Sequence, residues 1–286
     1  MTLAHKTDFQ AIGTSWHIET VTSIADTLQK TIADRIEEFD RTYSRFRSDS
    51  LVTQVANNAG TYQFPDDAQK IILFYKDLYR LTDGLVTPLV GAMLERAGYD
   101  ATYSFIPQPQ LPLADWGDVM TWRENELTTT SPLTLDVGGA GKGYLIDILA
   151  ELLHNDGHKE MVIDASGDIR HNGSQPQRIG LEHPLDTTKI IGMIDLRNQS
   201  ICASATNRRS WGSGMHHIFN PKLKVPVRDI IATWAIADSA LVADGIATAL
   251  FLVNPEKLMK DYTFSYVRLH QNGAVDYSHN FRGELF

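Results

Sequence analysis

The amino-acid sequence predicts an α+β fold in which mixed or antiparallel sheets pack against helices. Three observations carry that prediction. Apolar residues recur at helical spacing in some segments and at strand spacing in others. The two kinds of segment do not alternate in the strict βαβ rhythm of a parallel sheet. Two strand candidates, Ile190 to Asp195 and Ser265 to His270, are half polar, as antiparallel strands with one wet face are.

Taken in order, Ser15 to Val21 reads as a short strand. Ile24, Leu28, Ile32, Ile36 and Phe39 then mark one face of a helix. A second helix spans about Asp67 to Leu81 and stops at Thr82-Asp83-Gly84, where Gly84 supplies a left-handed residue. Pro107 to Pro112 is a proline-rich connector, which puts a subdomain seam near residues 105–115 of a single domain spanning 1–286. Leu133 to Val137 reads as a strand running into a glycine-rich turn, with a helix from Tyr144 to about His154. Further strands are expected at Glu160 to Ile163, Ile190 to Asp195, Ile230 to Ala237 and Ser265 to His270. A helix from Ser239 to Leu252 separates the last two.

Composition narrows the function. Of 286 residues 43% are hydrophobic and 21% charged, which excludes a disordered or collagen-like chain. A net charge of −9 argues against nucleic acid or an anionic membrane as the main partner. The single cysteine, Cys202, excludes a disulfide framework and a thiolate zinc cluster, and reads as a packed small residue. The first residues hold no apolar signal-peptide core and no cysteine for a lipid anchor. A cytoplasmic location is therefore expected, unless an export segment has been removed. The longest apolar passage, Ile230 to Val253, contains Asp238 and Asp244. An aspartate at the centre of a membrane helix costs about 2.5–3.5 kcal/mol, so a strand and a core helix fit better than a transmembrane span.

Three constellations could carry chemistry. Asp136-Val137-Gly138-Gly139-Ala140-Gly141-Lys142-Gly143 is a glycine-rich turn at a helix start, where free N–H groups favour phosphate. It matches neither the P-loop nor the dinucleotide fingerprint in register, and a tight turn with a surface lysine explains it equally well. Asp244 and Thr248, four residues apart on a helix, share a face and suit a hard cation such as Mg²⁺. The alternative there is a polar pair satisfied inside an apolar helix. His216 and His217 lie in a loop after Arg208 and Arg209; adjacent histidines point to opposite sides, so at most one can accept a proton at a site. Either arginine could pair with phosphate or simply be solvated. No H-E-x-x-H, G-x-S-x-G or C-x-x-C is present.

In combination these motifs resemble the FAD:protein FMN transferases, the ApbE family. Ile12-Gly13-Thr14 is similar to its opening M-G-T segment, and Ser44 to Ser50 to its S-x-[FY]-x-x-x-S stretch. Thr82 to Pro88 is similar to T-D-G-A-F-D-P, and Leu135 to Tyr144 to L-D-L-G-G-I-A-K-G-Y. His217 to Pro221 is similar to H-I-I-D-P, and Ala243 to Ala249 to the A-D-A-x-x-T-A helix. The resemblance runs from about Ala11 to Val253. It implies the T-fold-related flavin transferase architecture of the family. It also implies Mg²⁺-dependent transfer of FMN from FAD, the substrate, onto a threonine or serine of a target flavoprotein, with release of AMP. By position it makes Asp244, Thr248 and the carbonyls of Gly141 and Ala247 metal ligands. Ile12, Phe46, Leu85, Val86, Thr87, Gly138, Lys142 and Ile218 fall where the family lines its FAD pocket, and His217 where a proton is handled. A non-catalytic FAD-binding protein and a metal-dependent FAD pyrophosphatase are the alternatives.

The sequence also departs from the family pattern. Ile12 replaces methionine, Thr87 and Asn220 replace aspartates, and Ser166 stands where a glycine is common. Ser204-Ala205-Thr206-Asn207-Arg208-Arg209 replaces a segment like S-G-D-Y-R-R. The metal side is thus expected intact and the acceptor side altered.

Overall fold

The computed structural model describes residues 3–212 and 214–286. Its largest sheet has eight strands among the described residues, and their spatial order is their chain order. They are β1 (His5–Ala11), β2 (Thr14–Thr20), β3 (Met161–Asp164), β4 (Ile169–Asn172), β5 (Ser200–Ala205), β6 (Ile230–Ala237), β7 (Ser265–His270) and β8 (Val275–Tyr277). Every neighbouring pair is antiparallel. The four long helices are α1 (Asp26–Tyr43), α2 (Ala68–Leu81), α3 (Gly141–Asn155) and α4 (Ala240–Ala249).

The period-2 alternation of a strand sorts the apolar residues between two cores. On β6, Ala235 and Ala237 face the helices, while Ala232, Trp234 and Ile236 face away; on β3, Met161 and Ile163 oppose Val162 in the same way. The far face is covered by a smaller sheet of Gln177–Glu182, Ile190–Leu196 and Glu284–Leu285. Small residues on the helical face let α4 lie close, so that buried Cys202 sits 3.6 Å from the Ala240 carbonyl. The apolar passage from Ile230 is thus a buried strand and a core helix. Among the described residues no helix is long and apolar enough to cross a membrane.

The helices follow their periodicity. α1 buries Leu28, Ile32 and Phe39, and α2 buries Ile71, Phe74, Tyr75 and Leu78. α2 ends where Thr82 donates its hydroxyl to the Leu78 carbonyl at 2.6 Å and Gly84, at φ +79°, donates its N–H to the Tyr79 carbonyl. α3 and α4 close on each other through reciprocal caps. Asp147 of α3 accepts the Ala240 and Leu241 N–H groups that begin α4, at 3.0 and 2.9 Å. Asp244 of α4 accepts the Gly143 N–H in the first turn of α3 at 2.8 Å. Each carboxylate satisfies N–H groups that a helix start leaves without intrahelical partners.

Two expectations are corrected here. Leu133 to Val137 is not a strand: Leu133 and Asp136 donate to the isolated carbonyls of Val55 and Pro88, so no ladder forms. α3 begins at Gly141 rather than Tyr144, because Gly141 N–H already bonds the Val137 carbonyl and Asp244 caps the extra turn. Residues 107–112 have no regular secondary structure. One apolar cluster joins Val52 and Phe64 on one side of them to Trp116 and Leu127 on the other.

Alanine normally stabilises a helix over glycine by about 1 kcal/mol. At position 143 a Cβ would lie 2.1 Å from the Ala240 carbonyl oxygen and 2.7 Å from Asp244 Cβ. Gly143→Ala is therefore expected to cost about 2–3 kcal/mol, the scale of overpacking, as a lowered midpoint in denaturant melts. An unchanged or raised midpoint would mean that the two helices do not meet here.

Candidate active site

The glycine-rich turn, the segment after α2 and the end of β5 enclose a cavity of about 580 Å³, within the usual range for small-molecule sites. Its two ends differ in chemistry. At the inner end Asp244 and Thr248, on successive turns of α4, meet the glycine turn; Thr248 donates its hydroxyl to the Gly139 carbonyl at 3.0 Å. Lys142, in the first turn of α3, places its ammonium 2.6 Å from Asp168 and 3.3 Å from the Ala165 carbonyl. Asp168 is 1% exposed and is held by the Ala203 N–H.

Burial and charge interact strongly at this end. Burial works against the Lys142 charge, but Asp168 and then Asp244 outweigh it and raise the ammonium's pKa. Asp244 is pushed up to about 7 by burial and next by Asp168, against the pull of Lys142 and the Gly143 N–H. Two buried carboxylates thus share one lysine, and the remaining negative charge suits a cation. Among the described residues no three His, Cys, Asp or Glu side chains cluster as metal ligands. A metal here would instead take the mixed carboxylate, hydroxyl and carbonyl oxygens that hard cations prefer.

The outer end is aromatic. Tyr99 stacks on Trp211 with centroids 5.4 Å apart, and Phe105 stacks on the same indole at 5.8 Å. Tyr103 and Phe105 both have φ near +50°, and Asp100 steadies their segment through the N–H groups of Thr102 and Ser104. Beneath them Arg45 lies 4.2 Å over Phe46 and donates to Asp136 at 2.6 Å and to the Tyr99 carbonyl. Burial opposes the Asp136 charge, but Arg45 overcomes it and holds the carboxyl below its usual range.

His217 enters from the third side. Desolvation, and next the Arg209 charge, push its imidazole down to about 3, so it is neutral, and its Nδ1 has no hydrogen-bond partner among the described residues. His216 faces away and contacts the Val227 carbonyl at 2.8 Å. Arg208 pairs with Glu182 at 2.8 Å. Arg209 lines the cavity, half-buried.

Of the residues expected from sequence, Leu85, Val86, Thr87, Gly138, Lys142, His217, Ile218, Asp244 and Thr248 line this one cavity. Four stand behind the wall. Ile12 occupies a two-residue hairpin turn at φ +41°, where Gly13 and Thr14 form the wall instead. Phe46 lies beneath Tyr103, with centroids 5.4 Å apart. The Ala247 carbonyl accepts the Thr233 hydroxyl at 2.7 Å, and Gly141 lies beyond Gly139, whose carbonyl is the one that Thr248 meets. Sequence reasoning did not single out Tyr99, Tyr103, Phe105, Trp211 or the Arg45–Asp136 pair. Their one signal is the aromatic spacing of Tyr99, Tyr103 and Phe105 just before the proline connector.

Several departures from the family pattern are absorbed locally. The Thr87 hydroxyl accepts the Leu89 N–H at 3.2 Å, a capping bond an aspartate would also make. The Asn220 side-chain Oδ1 accepts the Lys222 and Leu223 N–H groups in an Asx turn, again as an aspartate would. Ser166 adopts φ +57° and donates its hydroxyl to the Ser15 carbonyl.

A charged, oxygen-rich inner end beside an aromatic mouth defines a site for a phosphorylated aromatic small molecule. The chain belongs to the ApbE family, whose sequence profile matches residues 12–264. A FAD:protein FMN transferase of Vibrio cholerae is 26% identical over 271 residues, covering 87% of this chain and 81% of that protein. One from Klebsiella pneumoniae is 21% identical over 275 residues, covering 87% and 79%. The crystal structure of the ApbE protein from Thermotoga maritima superposes with a TM-score of 0.86 at 22% identity, covering 97% of this chain and 98% of that one. The flavin transferase ApbE from Vibrio cholerae superposes with a TM-score of 0.78 at 20% identity, covering 96% of each.

Keeping His217 neutral in the fold has a consequence for acid stability. As pH falls, the unfolded chain takes up the proton near 6.5 and the folded one only near 3, so the native state loses stability below about pH 6.5. Relative to His217→Gln, the parent protein is expected to lose up to about 2 kcal/mol between pH 7.5 and pH 5. Urea melts at the two pH values measure it; parallel losses in both proteins would show the imidazole to be solvated.

Proposed function

We propose that this protein transfers FMN from FAD onto a threonine or serine hydroxyl of a target flavoprotein, releasing AMP, with Mg²⁺ as its metal. The observation that carries the reading is the meeting of Asp244 and Thr248 with the Gly138–Gly139 turn and Lys142 inside an aromatic-mouthed cavity. Membership of a family whose relatives are named FAD:protein FMN transferases supports it. The Thr14 hydroxyl, the Asn207 side-chain Oδ1 and His217 Nδ1 in the wall have no hydrogen-bond partner among the described residues, which fits a ligand that supplies the missing bonds.

In this reading Asp244, Thr248 and the Gly139 carbonyl hold the metal, with the Gly141 and Ala247 carbonyls behind them. Mg²⁺ held there would supply positive charge against a diphosphate and its leaving phosphate. The chain's own residues do the rest. Tyr99, Tyr103, Phe105 and Trp211 offer ring faces to a planar ring. The glycine turn lets phosphate approach the backbone, and Lys142, fixed by Asp168, adds a positive charge that needs no rearrangement. The acceptor oxygen forms a bond to the FMN phosphorus, the P–O–P bridge opens, and AMP takes the bridging oxygen. The hydroxyl proton passes to His217, whose neutral imidazole gains basicity beside an incoming anion. Alignment dominates the rate, because phosphoryl transfer is mostly positioning and electrostatics.

Incubation with FAD, Mg²⁺ and an acceptor flavoprotein, read by mass spectrometry, is expected to add one FMN to the acceptor and to fail in EDTA. Free FMN in place of the conjugate would make the protein a pyrophosphatase, and intact FAD a binding protein. Asp244→Asn keeps an oxygen for the Gly143 N–H but loses the charge, so transfer should fall about 100-fold or more with little change in melting temperature. Full activity in that variant would remove Asp244 from the metal site.

A further inference from the structure

We propose that Arg209 is the anion anchor of the cavity, donating its guanidinium hydrogen bonds to the diphosphate of FAD; the inference rests on the flavin-transfer reading above. The charges around the site distinguish this residue from every other cation there. Lys142 is committed to Asp168, Arg45 to Asp136 and the Tyr99 carbonyl, and Arg208 to Glu182 at the rim. Arg209 lines the cavity, half-buried, and its side chain has no hydrogen bond or ion pair among the described residues. A partly desolvated guanidinium without a carboxylate is costly, and an arriving anion removes that cost.

Its position gives the charge reach over the whole site. Its field acts on Tyr99 and Asp136 toward the aromatic end, and on His217 and Asp244 toward the inner end. The backbone fixes the loop that carries it, because the Arg209 carbonyl accepts the His217 N–H at 3.2 Å and the Asn207 amide donates to the Pro184 carbonyl. The planar fork of arginine suits two oxygens of a phosphate, which a lysine meets only as a point charge. Neighbouring arginines in one loop thus divide their work: Arg208 ties the loop down, and Arg209 faces the ligand.

Equilibrium binding separates this role from packing. FAD, FMN and riboflavin are titrated with Mg²⁺ against the intact protein and against Arg209→Gln and Arg209→Lys, by quenching of flavin fluorescence. Arg209→Gln should weaken FAD and FMN by about 10- to 100-fold, equivalent to about 1.4–2.8 kcal/mol, and leave riboflavin within about twofold. Arg209→Lys should recover part of the loss, and it stands in if the glutamine variant does not fold. Unchanged FAD affinity, or an equal loss for riboflavin, would overturn the assignment while leaving the flavin-transfer reading in place. Failure of the unsubstituted protein to bind FAD would instead bring down that reading and this inference together.

Discussion

The reciprocal capping of α3 and α4 is the contact on which the site depends. Two helices can approach this closely only because Gly143 has no side chain and the sheet beneath offers Cys202 and alanines. The approach leaves helix-start N–H groups buried, and buried N–H groups need acceptors. Asp147 and Asp244 supply them across the contact. The same geometry sets Thr248 against Gly139 and directs the glycine turn into the cavity. Asp244 is therefore a structural group at one oxygen, with the other left over for chemistry.

Charge in the cavity is arranged by commitment. Strong short pairs, Lys142–Asp168 and Arg45–Asp136, fix the walls on both sides of the glycine turn. A pair that breaks in such surroundings leaves a buried charge uncompensated, so these side chains hold their positions as ligands come and go. What is left uncommitted is one surplus carboxylate at the inner end and one guanidinium on the loop after β5. A metal–diphosphate complex carries the charges that complete both.

Much of this was legible in the sequence wherever one periodic signal dominated. The apolar spacing of α1 and α2 and the Asp244–Thr248 spacing each describe a single face, and the mostly apolar run of β6 describes a strand buried on both. Failures came where partners lie far along the chain. Leu133 to Val137 has the residues of a strand but no neighbouring strand to pair with. The extra turn of α3 needs a cap from a residue about a hundred positions away. Phe46 and Ile12 belong to segments that reach the site, yet Tyr103 covers one and a tight hairpin turns the other aside. Neither shift leaves a mark in local composition.

Strand order carries a consequence for how the molecule assembles. Neighbours in the large sheet are near in sequence except β2 and β3, whose first ladder pair joins Thr20 to Met161. That junction closes the longest loop in the sheet, at an entropic cost of about 4 kcal/mol before any gain from contact. Long-range pairings of this kind form slowly, and the β1–β2 hairpin is the piece they bring in. Gly13 and Thr14 at the hairpin tip are part of the cavity wall. The cavity wall is therefore complete only once a pairing between segments about 140 residues apart has formed, so the pocket depends on a contact that no local stretch of the chain can make alone.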